Sequence, residues 1–104
     1  MATLLDTVGN TPMVELQRLN PNPAVKIFAK LEGNNPGGSV KDRAALNMIR
    51  SALERGEINS QTRLIEATSG NTGIAMALMA RLFNLQIELV MPSKIGRASC
   101  RERV

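Results

Sequence analysis

The chain has 104 residues, which is enough for one modest α/β domain or for part of a larger one. It is 43% hydrophobic and 21% charged, proportions that argue against extensive disorder and against a membrane protein. Phe28 and Phe83 are its only aromatic residues, and most of its net charge of +4 lies in the last eleven residues. Because base stacking needs aromatic rings and the body of the chain is nearly neutral, we expect no nucleic-acid partner.

The chain contains a single cysteine, Cys100, and no histidine. This composition excludes disulfide bonds, Cys/His metal sites and histidine-based catalytic triads within the chain. No apolar run approaches the length of a membrane span, and residues 1–6 lack the features of a signal peptide. We therefore expect a cytoplasmic protein with no membrane partner and no bound metal.

The first third of the sequence predicts two short strands separated by loops. Residues 9–12, Gly-Asn-Thr-Pro, predict a turn, and residues 13–16 predict the strand that follows it. The two prolines in residues 20–23 indicate a loop, because proline removes a hydrogen-bond donor and disfavours helix in the residue before it. Alternation of apolar and polar residues over 25–31 predicts the second strand.

A Pro/Gly-rich loop at residues 33–38 leads into a predicted amphipathic helix. Ser39 is the expected N-cap residue, with Asp42 three positions later as in a capping box. Charged residues, Asp42 and Arg43 among them, fall largely on the polar face, and Gly56 is expected to end the helix. The apolar face consists of Val40, Ala44, Ala45, Met48, Ile49, Ala52 and Leu53.

The second half of the chain predicts a strand, a polar loop, a helix and a further strand. Residues 63–67 indicate a buried strand, residues 72–82 a helix, and residues 86–91 a strand that Pro92 ends. This alternation predicts an α/β fold of βαβ units with a parallel or mixed sheet, whose ligands bind beyond the carboxyl ends of the strands. Both loops precede helices, so both can face one crevice. The methionines at 48, 76, 79 and 91 are assigned to core packing.

Two loops carry the candidate chemistry. The positive end of a helix dipole disfavours an ammonium ion at Lys41, so this amine could act as a nucleophile or form a Schiff base. An exposed helix lysine is the more common role. Residues 68–73, Thr-Ser-Gly-Asn-Thr-Gly, could bind a carboxylate or phosphate through hydroxyls, an amide and free N–H groups. An ordinary helix cap with the same residues is about equally compatible with this spacing.

Taken together, residues 31–46, residues 65–75 and the Gly9–Pro12 turn closely resemble the cysteine synthases. These are pyridoxal-phosphate enzymes of the tryptophan-synthase β-subunit family (fold type II). The two asparagines before Pro36 and the Asp42–Arg43 pair resemble the B type, O-acetylserine sulfhydrylase B. The resemblance covers residues 1–92 and implies the N-terminal part of that fold.

The resemblance also implies roles for individual residues. Lys41 is similar to the catalytic lysine that forms a Schiff base with pyridoxal 5'-phosphate, and Asn71 to the amide that binds the cofactor's 3'-oxygen. The loop that grips the substrate carboxylate is matched by Thr68, Ser69, Gly70 and Thr72. The implied reaction is that of a transferase in cysteine biosynthesis, in which sulfide or thiosulfate replaces the acetoxy group of O-acetyl-L-serine. Cystathionine β-synthase and threonine dehydratase use similar loops and remain alternatives.

The resemblance stops near the end of the chain. Members of the family are much longer, and their phosphate-binding Gly/Thr loop and the serine facing the pyridine nitrogen would lie beyond residue 104. The full-length family protein is expected to be a homodimer, and this chain alone is expected to be an inactive fragment. Residues 93–104 do not resemble the family but resemble a translated sequencing adapter, so we expect them to be a non-native tail.

Overall fold

The computed structural model describes residues 2–93, so the predicted tail, apart from Ser93, lies outside the described residues. Two short 3-10 helices, Leu4–Thr7 and Glu32–Asn34, precede the regular helices. The other elements, in chain order, are β1 (Met13–Glu15), β2 (Phe28–Lys30), α1 (Lys41–Glu54), β3 (Arg63–Ala67), α2 (Asn71–Leu82) and β4 (Gln86–Val90).

The strands form two separate two-stranded sheets. β3 and β4 are parallel, with Arg63 opposite Gln86 and Ala67 opposite Val90, and α2 connects them as a βαβ unit. β1 and β2 are antiparallel, with Val14 opposite Ala29. The predicted α/β class with βαβ units is confirmed, and the parallel pairing places residues 68–70 and 91–93 at one edge of the sheet.

The core lies where α1 packs against α2, beside one face of the β3–β4 sheet. Leu64 of β3 and Ile87 of β4 pack against this core from the sheet. On the opposite face, Ile65 is 66% exposed, so the prediction of a buried strand is wrong for that face. A parallel sheet is normally covered by helices on both faces, and residues 2–93 provide them on one face. The buried apolar residues are Ala45, Leu46, Ile49, Ala75, Met76, Met79 and Ala80.

The assignment of four methionines to packing is confirmed for two of them. Met76 and Met79 are buried, and Met79 has no exposed surface. Met48 and Met91 are each 49% exposed, so their assignment to the core is wrong. Their exposed halves belong to surfaces that no helix or strand among residues 2–93 covers.

The ends of α1 differ from one another in how well the sequence predicted them. Gly56 follows the helix with a φ of +74°, a left-handed conformation that glycine adopts readily, and its N–H donates to the Leu53 carbonyl, as expected. At the other end the N-cap residue is Val40 rather than Ser39. With 14 and 12 residues, neither α1 nor α2 reaches the about 20 residues that a helix needs to cross a bilayer.

Candidate functional site

Lys41 is the first residue of α1, directly after the Pro/Gly-rich loop. Its backbone N–H donates a hydrogen bond of 3.1 Å to the Ser39 hydroxyl, which is buried. Within residues 2–93, its side-chain amine has no hydrogen-bond or ion-pair partner, and the side chain is exposed. The helix start therefore fixes the backbone of Lys41 while leaving a primary amine available for chemistry.

Asp42 anchors the same helix turn to the loop from the inner side. The residue is fully buried, and its Oδ2 accepts a 2.5 Å hydrogen bond from the Gly37 N–H. The predicted capping box with Ser39 is wrong, because the carboxylate bypasses Ser39 and binds two residues further back. A Cβ on Gly37 would lie 2.3 Å from Asp42 Oδ1, so this close approach requires glycine at position 37.

Arg43 anchors the helix turn from the outer side. Its Nε and Nη2 donate to the two carboxylate oxygens of Glu32 at 2.5 and 3.0 Å, and its Nη2 also donates to the Gly9 carbonyl at 2.8 Å. The hydroxyl of Thr11, a buried residue, donates to Glu32 at 2.6 Å. Hydrogen bonds from Arg43 and Thr11 lower the pKa of Glu32 to about 2, which keeps this carboxylate ionised at neutral pH.

Asn35 completes this arrangement. Its side-chain oxygen accepts from the Gly9 N–H at 2.7 Å, and its amide group donates to the backbone carbonyl of Glu32 at 2.9 Å. The residue is 4% exposed, so these hydrogen bonds are largely shielded from water. We call Thr11, Glu32, Asn35 and Arg43 the polar cluster. It joins the N-terminal turn, the 3-10 helix at Glu32–Asn34 and the first turn of α1.

The second predicted loop connects β3 to α2. The Thr68 N–H donates to the Val90 carbonyl at 3.0 Å, which extends the parallel pairing by one residue. The Thr68 hydroxyl accepts from the Gly73 N–H at 3.0 Å, so this side chain caps the start of α2. Gly70 is the N-cap residue, and Asn71 begins the helix. Among residues 2–93, the side chains of Asn71 and Thr72 have no hydrogen-bond partner.

A shallow cleft of about 500 Å³ lies beside this loop, between α2 and the end of β4. Gly70 and Gly73 contribute the loop side of the cleft, whereas Lys41 does not line it. Its surface is mostly apolar, so the cleft offers packing surface rather than an anion site. Its lining residues are Gly70, Gly73, Ile74, Ala77, Leu89 and Met91.

The predicted site residues thus form two groups. Lys41 stands at the start of α1, and residues 68–72 stand at the start of α2, on helices that pack against each other. No hydrogen bond or ion pair joins Lys41 to residues 68–72 in the described part of the chain, and their meeting in one crevice stays a prediction. The Lys41 amine, the Asn71 amide and the Thr72 hydroxyl have no hydrogen-bond partners among residues 2–93. Together they could bind a cofactor that carries an aldehyde and a phenolic oxygen.

The polar cluster was missed by the sequence reasoning. Hydrophobic periodicity did not indicate that Glu32 and Arg43 interact, because the hydrogen-bond partners of these residues lie up to 34 residues away in the sequence. One signal was present: Gly9 and Asn35 belong to the two turn motifs that also carry the family resemblance. Gly9 and Asn35 are 26 residues apart in the sequence, so their hydrogen bond forms only when the fold brings the two loops together.

Comparison with known proteins gave consistent matches. A model of the family described as "Pyridoxal-phosphate dependent enzyme" matches residues 4–102. The chain is 58% identical to a cysteine synthase B of Salmonella typhimurium and 56% identical to one of Escherichia coli, each over 93% of this chain and 32% of the relative. An O-acetylserine-dependent cystathionine β-synthase from Helicobacter pylori superposes with a TM-score of 0.81 at 41% identity, covering 97% of this chain and 34% of that protein. The chain therefore spans about a third of the length of these curated relatives.

Proposed function

Because the chain belongs to the family of pyridoxal-phosphate dependent enzymes, we propose that it forms the N-terminal part of a cysteine synthase. The reaction is replacement of the acetoxy group of O-acetyl-L-serine by sulfide, giving L-cysteine and acetate; thiosulfate as a further sulfur donor would give S-sulfocysteine and acetate. Two sequences of 58% and 56% identity that carry the name cysteine synthase B support this choice within the family. A cytoplasmic location and a homodimer are proposed for the full-length protein.

Lys41 carries the proposal. Its backbone is fixed at the start of α1, while its amine has no partner among residues 2–93, so the amine is available to hold the aldehyde carbon of pyridoxal phosphate. In the reaction, the Lys41 amine would accept the proton from Cα of the substrate as acetate leaves. A single group in both roles must be held within reach of the cofactor and of the substrate, which a side chain at a fixed helix start allows.

Residues 68–72 would hold the remaining groups. The Asn71 side chain would donate to the 3'-oxygen of the cofactor, and Ser69, Gly70 and Thr72 would bind the substrate carboxylate at the helix start. Thr68 would join them, since its hydroxyl accepts from Gly73 and retains its own proton for donation to a carboxylate. When bound, pyridoxal phosphate supplies the electron sink that stabilises negative charge on Cα.

One observation favours a second candidate. The 41% identity to an O-acetylserine-dependent cystathionine β-synthase indicates that the same loops can serve a different sulfur nucleophile. Both candidates share the O-acetylserine half-reaction and differ in the thiol that follows it. The higher identity to the cysteine synthases supports sulfide as the first choice of nucleophile.

The experiment is a chimaera in which residues 1–92 of this chain replace the aligned segment of the Salmonella typhimurium relative. We expect it to form cysteine from O-acetylserine and sulfide, and to form little cystathionine when homocysteine replaces sulfide. Lys41→Ala should lower the rate by a factor of about 10²–10⁴, the usual effect of losing a general base. Lys26→Ala, which changes an exposed loop lysine, is the matched control and should have no effect.

Two outcomes would contradict this assignment. One is a folded chimaera in which Lys41→Ala keeps the activity of Lys26→Ala, and the other is preference for homocysteine over sulfide. We also propose that the chain by itself lacks activity and that residues 93–104 are non-native. Adding pyridoxal phosphate to the isolated chain tests cofactor binding separately, through an absorbance band that Lys41→Ala removes.

A further inference from the structure

The first turn of α1 is tied to the rest of the chain on two sides. Asp42 binds the loop through the Gly37 N–H, and Arg43 binds Glu32 and the Gly9 carbonyl. These are the two residues that immediately follow Lys41. Three successive residues at the helix start are therefore each fixed by a hydrogen bond to a different group, while the Lys41 amine has no partner among residues 2–93.

The hydrogen bonds from residue 43 to Glu32 and to the Gly9 carbonyl require an arginine. Its planar fork engages both oxygens of Glu32 while the same Nη2 reaches the Gly9 carbonyl, and the single ammonium of a lysine lacks this geometry. Gly9 has a φ of +78°, and a Cβ there would lie 2.8 Å from Arg43 Nη1. The N-terminal turn thus has both the conformation and the open space that the guanidinium needs.

We propose that Arg43 is a positioning residue for Lys41. The two residues are about 200° apart around the helix, so the guanidinium acts through the backbone of the turn rather than on the amine itself. The Glu32–Arg43 pair holds the helix start against the N-terminal turn, and this sets the direction in which the Lys41 side chain leaves the backbone. This inference rests on the proposed function of Lys41 as the residue that holds the cofactor.

The test compares Arg43→Lys with Arg50→Lys in the full 104-residue chain. Arg50 lies on the same helix, is exposed, and has no hydrogen-bond or ion-pair partner in the described part of the chain. The first readout is the affinity for pyridoxal phosphate, from the Lys41-dependent absorbance band. We expect Arg43→Lys to weaken this affinity about tenfold, because the Schiff base forms only when the amine is correctly placed, and a misplacement of about 1 Å can lower a reaction rate by about 10²-fold. Arg50→Lys should leave it unchanged.

The second readout needs no cofactor. Hydrogen exchange at the Gly9 and Lys41 amides, both hydrogen-bonded in the wild type, should become several-fold faster in Arg43→Lys, while exchange in β3 and β4 stays the same. Gly9→Ala, whose Cβ would displace the guanidinium and whose φ of +78° also strains the turn itself, should likewise speed exchange at the Lys41 amide and weaken cofactor binding.

The two readouts separate failure of this inference from failure of the proposed function. A wild-type chain without the absorbance band supports the proposal that the isolated chain is inactive, while the chimaera tests the cofactor role, and hydrogen exchange then decides the inference alone. Equal exchange at the Lys41 amide in Arg43→Lys and Arg50→Lys would overturn it, with or without the band. Equal cofactor affinity of these two variants would overturn it as well.

Discussion

Replacing Gly73 by alanine should destabilise the chain, although alanine is the better helix former. Gly73 is a buried residue in the first turn of α2, and a Cβ there would lie 2.5 Å from Thr68 Cγ2. That distance is far inside van der Waals contact, so either Thr68 must rotate or the helix must shift. Rotation of Thr68 would break the hydrogen bond from the Gly73 N–H to its hydroxyl.

The magnitude follows from three opposing contributions. Alanine gains about 1 kcal/mol over glycine in helix propensity. Overpacking of a close contact costs about 1–3 kcal/mol, and losing the cap hydrogen bond costs about 1 kcal/mol more. The two costs exceed the gain, so we expect Gly73→Ala to lower the free energy of unfolding by about 2 kcal/mol.

Thr68→Ser provides the decisive second variant. Serine lacks the Cγ2 methyl but keeps the hydroxyl, whose oxygen would lie 3.4 Å from the new Cβ, an ordinary contact. In the wild type, this change removes one partly buried methyl group and should cost about 0.8 kcal/mol. In the Gly73→Ala background, the same change should raise stability by about 1 kcal/mol or more, because it removes the clash.

The assay is urea unfolding of the four proteins in a double-mutant cycle, followed by far-UV circular dichroism. The opposite signs of Thr68→Ser in the two backgrounds are the expected result. If Gly73→Ala proved as stable as the wild type, or if Thr68→Ser destabilised both backgrounds equally, the close packing of residues 68 and 73 would be refuted.

Two further predictions concern the core and the polar cluster. Met79→Ala should lower the free energy of unfolding by about 2–5 kcal/mol in urea denaturation, because Met79 is fully buried. Met48→Ala, at a half-exposed position on α1, should lower it by under about 0.5 kcal/mol. Equal losses in the two variants would contradict the burial of Met79 in the core. The pKa of Glu32 is about 2 in the folded chain against an ordinary 4.5, so its contribution to stability is complete above pH 4.5 and is lost as the pH falls towards 2. Glu32→Gln should therefore flatten stability over this pH range, whereas Glu54→Gln should not, and a wild-type profile in Glu32→Gln would contradict the lowered pKa.

The local elements were largely predictable because they depend on nearby residues. Apolar spacing predicted α1 over residues 40–53, and the helix spans Lys41–Glu54. Gly56 predicted its end, since a left-handed residue after a helix favours glycine. The strand at residues 63–67 was predicted with its observed bounds, but not the exposure of Ile65, because periodicity shows what a strand can bury and not what covers it.

Asp42 shows the limit of local reasoning most clearly. Its charge placed it on the polar face of α1, yet it is fully buried against the loop. Its Oδ2 accepts from the Gly37 N–H, whereas Oδ1 has no hydrogen-bond partner in the described part of the chain, and the Gly37 contact depends on how the loop folds back. Sequence position alone could not distinguish this arrangement from an exposed capping residue.

The sequence by itself determined the α/β pattern, a helix over residues 40–53 and the family resemblance, because short-range spacing and motif residues carry that information. Only the tertiary structure decided how Lys41 is held. Glu32 and Arg43 are 11 residues apart, and Gly9 is 34 residues from Arg43, so neither contact follows from local spacing. Folding brings these three segments together, and their joined hydrogen bonds fix the helix start on which the lysine stands.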